Sequence, residues 1–211
     1  MGCDVTLYGR PSWVDAINND GLHLEWPDGR RHTVHPQAIT DLATLDDRSD
    51  FDVVLVTPKS FATSDVVSGL AEKVTPKTRI LSLQNGVGNE DRLAQALPNQ
   101  PILAGSITLP VKIPQAGTII VSKDKGGIGL ASFTPGSAVT DIADRLQEAG
   151  FTVVTYDDYR SLKWSKLLMN IVANASSAIL DMAPGESLAY QAIFDLEIAA
   201  MCETLAVMKV Q

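Results

Sequence analysis

In KWSKLLMNIVAN, residues 163–174, Lys166, Asn170 and Asn174 recur at four-residue steps among Leu, Met, Ile, Val and Ala. Ammonium and amide groups in apolar surroundings must find partners or lose free energy. Four residues advance a helix by about 400°, so each step drifts only about 40° around its axis. The spacing therefore predicts one narrow polar stripe a little over two turns long. Lining a cleft, such a stripe would set an ammonium beside amides that orient a polar substrate. The ammonium can give a proton to a carbonyl oxygen as hydride reaches the carbon. The same stripe equally fits the exposed side of an amphipathic helix, and the residues alone leave both readings open.

Three further positions carry candidate chemistry. Lys59 and Asn85 each stand just past a predicted strand, FDVVLVT and RILSLQ, and ligands of open α/β sheets bind outside that edge. Around Asn85, QNGVGNE adds two glycines that permit sharp turns or close backbone approach, with or without a ligand. Arg10 follows the run DVTLYG, where a dinucleotide fold places an acid for a ribose hydroxyl or an Arg for a 2′-phosphate. Arg at this point favours NADP over NAD; a solvated surface Arg is the alternative.

The elements that must position these residues follow from the apolar pattern. DVTLYG, FDVVLVT and RILSLQN read as strands, with helical spacing over 60–73 and 90–97 between and after them. Such alternation predicts an α/β fold with a parallel sheet covered by helices. Residues 21–34, GLHLEWPDGRRHTV, read as a hairpin around Pro-Asp-Gly. Residues 102–131 are strand-rich, 137–149 helical, and FTVVTY a last strand. Beyond Tyr159 only helices are expected, over 160–180 and 188–210, joined by DMAPGES. A boundary near Asp158 would divide an α/β part, 1–158, from the start of a helical part, 159–211. No G-x-G-x-x-G occurs; GGIGLA at 126–131 leads into a strand rather than a helix. The chain thus begins where the second strand of a dinucleotide fold would stand.

Composition narrows the function classes. The net charge of −8 argues against nucleic acid or an anionic membrane surface as main partner. No run approaches the roughly 20 apolar residues of a membrane span. Cys3 and Cys202 lie at opposite ends of the chain and define no metal-ligand spacing, so a reduced, cytoplasmic setting is expected. MGCDVT matches a myristoylation pattern, yet DVTLYG reads better as a strand held in a sheet. His23, His32 and His35 cluster around the hairpin without a metal-binding motif, and neither a G-x-S-x-G elbow nor a P-loop is present.

Taken together, DVTLYGR, VLVTPKS, LSLQNGVGNEDRL and above all LKWSKLLMNIVANASSAI resemble the ketopantoate reductase family across nearly the whole chain. The last segment is similar to that family's tryptophan-x-lysine-leucine signature with two asparagines at four-residue steps. The resemblance implies a Rossmann-like NADP-binding domain followed by an all-helical one, with a small 2-keto acid such as 2-dehydropantoate bound between them. It implies reduction of that ketone, a step of pantothenate synthesis, with Lys166 as catalytic proton donor. Asn170 and Asn174 resemble substrate-binding positions, and Asn85 a position near both nicotinamide and substrate. Arg10 and Lys59 match cofactor-side positions, and Val111 a backbone contact to the cofactor. A homodimer is the expected assembly.

Relative to that family the chain is shortened at both ends, lacking the first strand, its glycine-rich loop and the later helices. Pro184 and Ala175-Ser176-Ser177 depart from common family residues near the substrate. A non-catalytic shortened paralogue, serving as a ligand-binding or oligomerisation module, is therefore the alternative. Action on another keto acid or on an imine is a third.

Overall fold

The computed structural model of the chain describes residues 2–45, 50–123 and 126–210. Its central layer is a five-stranded sheet. Strands β5 (Val53–Val56), β6 (Arg79–Ser82) and β7 (Ile102–Ile107) run parallel. Strand β10 (Gly127–Ser132) pairs antiparallel with β7, and β11 (Thr152–Tyr156) pairs parallel with β10. The order is β5-β6-β7-β10-β11. Earlier in the chain, β1 (Thr6–Tyr8) pairs in parallel with β4 (Gln37–Ile39). The 21–34 segment does form a hairpin, β2 (Leu22–Glu25) and β3 (Arg31–Val34), closed through Trp26 and Arg30. It extends into a second, four-stranded sheet through β9 (Thr118–Val121) and β8 (Val111–Lys112), in the order β3-β2-β9-β8.

Strand alternation sorts the core of the five-stranded sheet into two faces. On one face Val54, Val56, Ile80 and Ile102 meet Val67 and Leu70 of helix α2 (Thr63–Leu70). They also meet Leu93 of α3 (Asn89–Ala96) and the following Leu97. On the other face Leu81, Leu103, Ile128 and Leu130 meet Ile142 and Ala143 of α4 (Thr140–Glu148). Fully burying one such aliphatic side chain stabilises the fold by about 1.5–3 kcal/mol. A bidentate pair, Arg79 to Asp141 at 2.6 and 2.7 Å, fastens the start of β6 to the first turn of α4. The hydrogen bonds from Arg79 hold the Asp141 carboxyl below the ordinary carboxylate range.

Helix α1 (Pro11–Asp20) was not anticipated from the apolar pattern, which is thin here: only Val14 and Ile17 are buried. Its signals lie at its ends. Pro11 occupies the first turn, and Gly21 closes the helix at φ 84°. A Cβ on Gly21 would stand 2.8 Å from both Thr33 and His35, so glycine is required on two counts.

After β11 the described chain is helical: α5 (Tyr159–Ile171), α6 (Asn174–Leu180), α7 (Pro184–Ser187) and α8 (Gln191–Met208). Asp158 caps α5, its carboxylate accepting from the backbone N–H groups of Arg160 and Ser161 and from the Ser161 hydroxyl. The expected single helix over 160–180 is instead broken. Val172 is extended and Ala173 takes a left-handed conformation, φ 65°, before α6 begins. Such a non-glycine residue costs about 1–3 kcal/mol and persists only where its surroundings hold it. Ala173 is buried, and its carbonyl accepts from Ser177 N–H at 2.9 Å. The turn lets Ser176 donate to the buried Glu197 of α8 at 2.5 Å.

Candidate active site

Helix α5 lies against the sheet face formed by the carboxyl-terminal half of β7 and by β10. That face is made of small residues. Leu162 packs on Ala104 and Ala131, and a Cβ on Gly129 would fall 2.5 Å from Leu162 Cδ1. Close approach of the helix thus depends on the absence of side chains beneath it. One turn beyond Leu162, half-buried Lys166 lines a cavity of about 270 Å³. Ser106, Thr108, Gly129, Thr152 and Tyr156 contribute from the sheet, and Ser165 and Met169 from α5. The hydroxyls supply polar contacts, and the lining is otherwise apolar.

The loops beyond β5 and β6 are stitched together. Gln84 donates to the Pro58 carbonyl at 2.8 Å and to Thr63 Oγ1 at 2.9 Å. The Asn85 carbonyl accepts from Asn89 Nδ2 at 3.0 Å and from Ser60 Oγ at 3.4 Å. Gly86 and Gly88 both have positive φ, 90° and 81°, and Gly88 leads directly into α3. Lys59 and Asn85 are therefore presented, both exposed, from loops joined at one sheet edge. A Cβ on Gly88 would meet nothing within 4 Å among the described residues, and one on Gly86 would stand 4.0 Å from Asn89 Nδ2.

The buried polar group of the 163–174 segment proves to be Lys163, which lies outside the four-residue spacing of Lys166, Asn170 and Asn174. It is 3% exposed, and its Nζ donates to the Gln84 carbonyl at 2.7 Å and the Gly105 carbonyl at 3.0 Å. It also lies 2.8 Å from Oε1 of Glu90, which is fully buried. The contact is ionic rather than a well-aligned hydrogen bond; neither Glu90 oxygen receives one among the described residues. Only the helical position of Lys163, three residues before Lys166, hinted at this in the sequence. Which face of α5 meets the sheet is a tertiary matter.

The other sequence candidates separate. Asn170 is partly exposed near the end of α5, and Asn174 is exposed at the start of α6, beyond the Val172-Ala173 break. The polar stripe along one helix therefore reaches only from Lys166 to Asn170. Asn85, Asn170 and Asn174 do not line the cavity that Lys166 lines. Arg10 is exposed, following β1 and leading into α1. Val111 is exposed in β8, in the second sheet. Among the described residues no cluster of His, Cys, Asp or Glu is arranged to hold a metal ion, and no helix is long and apolar enough to cross a membrane.

Comparison with known proteins decides the family. The sequence matches the family described as ketopantoate reductase PanE/ApbA over residues 1–134. The chain belongs to the ketopantoate reductase family. A 2-dehydropantoate 2-reductase of Pyrococcus horikoshii is 29% identical over 187 residues, covering 88% of this chain and 59% of the relative. The chain thus spans 59% of the length of that curated relative. The crystal structure of a PanE/ApbA family ketopantoate reductase from Ralstonia eutropha superposes with a TM-score of 0.87 at 28% identity, over 99% of this chain and 67% of that one. A D-mandelate dehydrogenase solved with NADH and anilino(oxo)acetate shares the fold, with a TM-score of 0.88 at 19% identity, over 100% of this chain and 68% of its own. The mixed α/β, Rossmann-like architecture followed by helices is therefore that of ketopantoate reductases.

Proposed function

We propose that the chain carries the reducing site of an NADPH-dependent 2-keto acid reductase, with 2-dehydropantoate as the model substrate and Lys166 as general acid. The observation that carries this reading is the placement of Lys166 in the wall of a cavity bounded by the sheet that bears Asn85 and Lys59. Family membership supports the reaction class. The Arg10, Lys59 and Asn85 positions, each following a parallel strand, fit the adenosine-phosphate and nicotinamide sides of a dinucleotide. Val111 would add a backbone contact. When bound, the nicotinamide cofactor would supply the hydride. Lys166 gives its proton to the oxygen of the carbonyl being reduced, yielding the 2-hydroxy acid, and recovers a proton from solvent. Asn85, Asn170 and Asn174 would orient the substrate's carboxylate and hydroxyl groups.

In this reading 1–158 is the cofactor unit and 159–211 the start of the substrate unit, in a cytoplasmic homodimer. The pyrophosphate-binding G-x-G-x-x-G has no counterpart in this sequence. Titration of NADPH fluorescence tests the reading directly. Saturable binding to this chain, or to a chain extended at its amino end by a strand and glycine-rich loop, is the expected result. Failure of both to bind NADPH and NADH would favour the non-catalytic paralogue.

A further inference from the structure

The four groups that meet beneath α5 come from three separate stretches of the chain. Lys163 is on α5, Glu90 in the first turn of α3, the Gln84 carbonyl just past β6, and the Gly105 carbonyl within β7. Lys163 is thus the point where α5 is bonded to the edge that presents Asn85. Three ligands surround its ammonium, matching its three protons in number. A buried ion pair is weak evidence for stability, since apolar side chains of similar volume often hold as well or better. Here the pair is present although neither Glu90 oxygen accepts a well-aligned hydrogen bond among the described residues. Apolar packing, moreover, is already available next door, where Leu162 seats on Ala104 and Ala131. What the ammonium adds is direction. Two carbonyls and one carboxylate fix the rotation and height of α5 on the sheet, which a sliding apolar contact does not.

We propose that Lys163 and Glu90 form a buried clamp that registers α5 against the Gln84-Asn85 loop. Lys163 is then a positioning residue for Lys166, one helical turn further along. This rests on the reading of Lys166 as proton donor for its catalytic meaning, but the registration itself does not. Lys163 touches no reacting atom; it sets where the Lys166 ammonium stands relative to Asn85. A displacement of about 1 Å in such a geometry can lower turnover about a hundredfold.

The decisive variant is the apolar pair Lys163→Met with Glu90→Leu, which removes the charges together and so leaves none unpaired. In the full chain, with exposed Cys3 and Cys202 changed to Ser, spin labels at Val87→Cys and Met169→Cys report the spacing of loop and helix by pulsed electron resonance. Both label sites are exposed, 40% and 64%. The expected result is a single narrow distance distribution in the parent. In the apolar pair it broadens or shifts while the melting temperature stays equal or rises. An unchanged narrow distribution overturns the clamp.

Should the pair fail to fold, Glu90→Gln keeps the shape and removes the charge. It should broaden the distribution by a smaller amount, and no broadening again overturns the proposal. With unlabelled protein that reduces a 2-keto acid, kcat should fall by about ten- to a hundredfold in the apolar pair. KM for the cofactor should stay within about twofold. Equal kcat would reduce the pair to a structural contact. The distance measurement judges the clamp whether or not the parent turns over.

Discussion

An ammonium that donates a proton must reach the reacting oxygen, and half-buried Lys166 opens onto a cavity large enough for a small keto acid. Lys163, one turn earlier, is sealed beneath the helix by two carbonyls and Glu90 and cannot take that role. The two lysines therefore predict different consequences of removal. In an active form of the protein, Lys166→Ala should lower turnover by about a hundredfold or more, because general acid catalysis contributes about 10²–10⁴. Cofactor affinity, measured by fluorescence, should be largely kept. Unchanged turnover would remove Lys166 from the mechanism. The sequence made Lys166 legible through its spacing with Asn170. It did not make Lys163 legible, because spacing shows that residues share a face, not whether that face meets solvent or sheet.

Helix α5 depends on its beginning as much as on its seat. Partial desolvation works against ionisation of Asp158. Hydrogen bonds from Arg160 N–H, the Ser161 hydroxyl and Ser161 N–H outweigh it and hold the carboxyl below its ordinary range. Asp158→Ala should destabilise the protein by about 1 kcal/mol, seen as a melting temperature about 2–4 °C lower near neutral pH. A carboxyl whose pKa is lowered in the folded state stabilises above its unfolded value, about 3.9, and loses that contribution as pH falls through the lowered value. The difference between parent and variant should therefore shrink below about pH 4; a constant difference down to strongly acidic pH would mean the cap is not the cause. At the other end, the Val172-Ala173 break was hidden from the sequence. Nothing in IVANAS forbids a continuing helix, and the break is held by the buried carbonyl of Ala173 and by the Ser176–Glu197 bond.

At the scale of the molecule, β5 and α8 both leave apolar surface uncovered. Among the described residues strand β5 is hydrogen-bonded to β6 alone, and its Leu55 is 55% exposed. On α8, apolar residues point several ways, with Phe194, Leu196, Ile198, Leu205 and Val207 all exposed. Helices apolar all round are ordinarily buried, and unpaired strand edges invite pairing. The chain should therefore self-associate, its apparent mass by light scattering rising with concentration. Leu196→Glu with Ile198→Glu should reduce that dependence. A concentration-independent monomer mass would show that these surfaces are tolerated in water.

By itself, the sequence determined the strand and helix alternation apart from α1, the 21–34 hairpin, the helices after β11 and the family, because apolar periodicity and a short motif are local properties of a chain. It also placed Lys59 and Asn85 at strand ends, which the fold then joined through Gln84, Pro58 and Ser60. Only the tertiary structure decided that Lys163 is interior while Lys166 faces a cavity, that Asn174 leaves the helix of its neighbours, and that Glu90 lies within reach of α5. Each of these depends on residues more than twenty positions away. Burial and long-range pairing are set by which faces meet, and no local pattern records that.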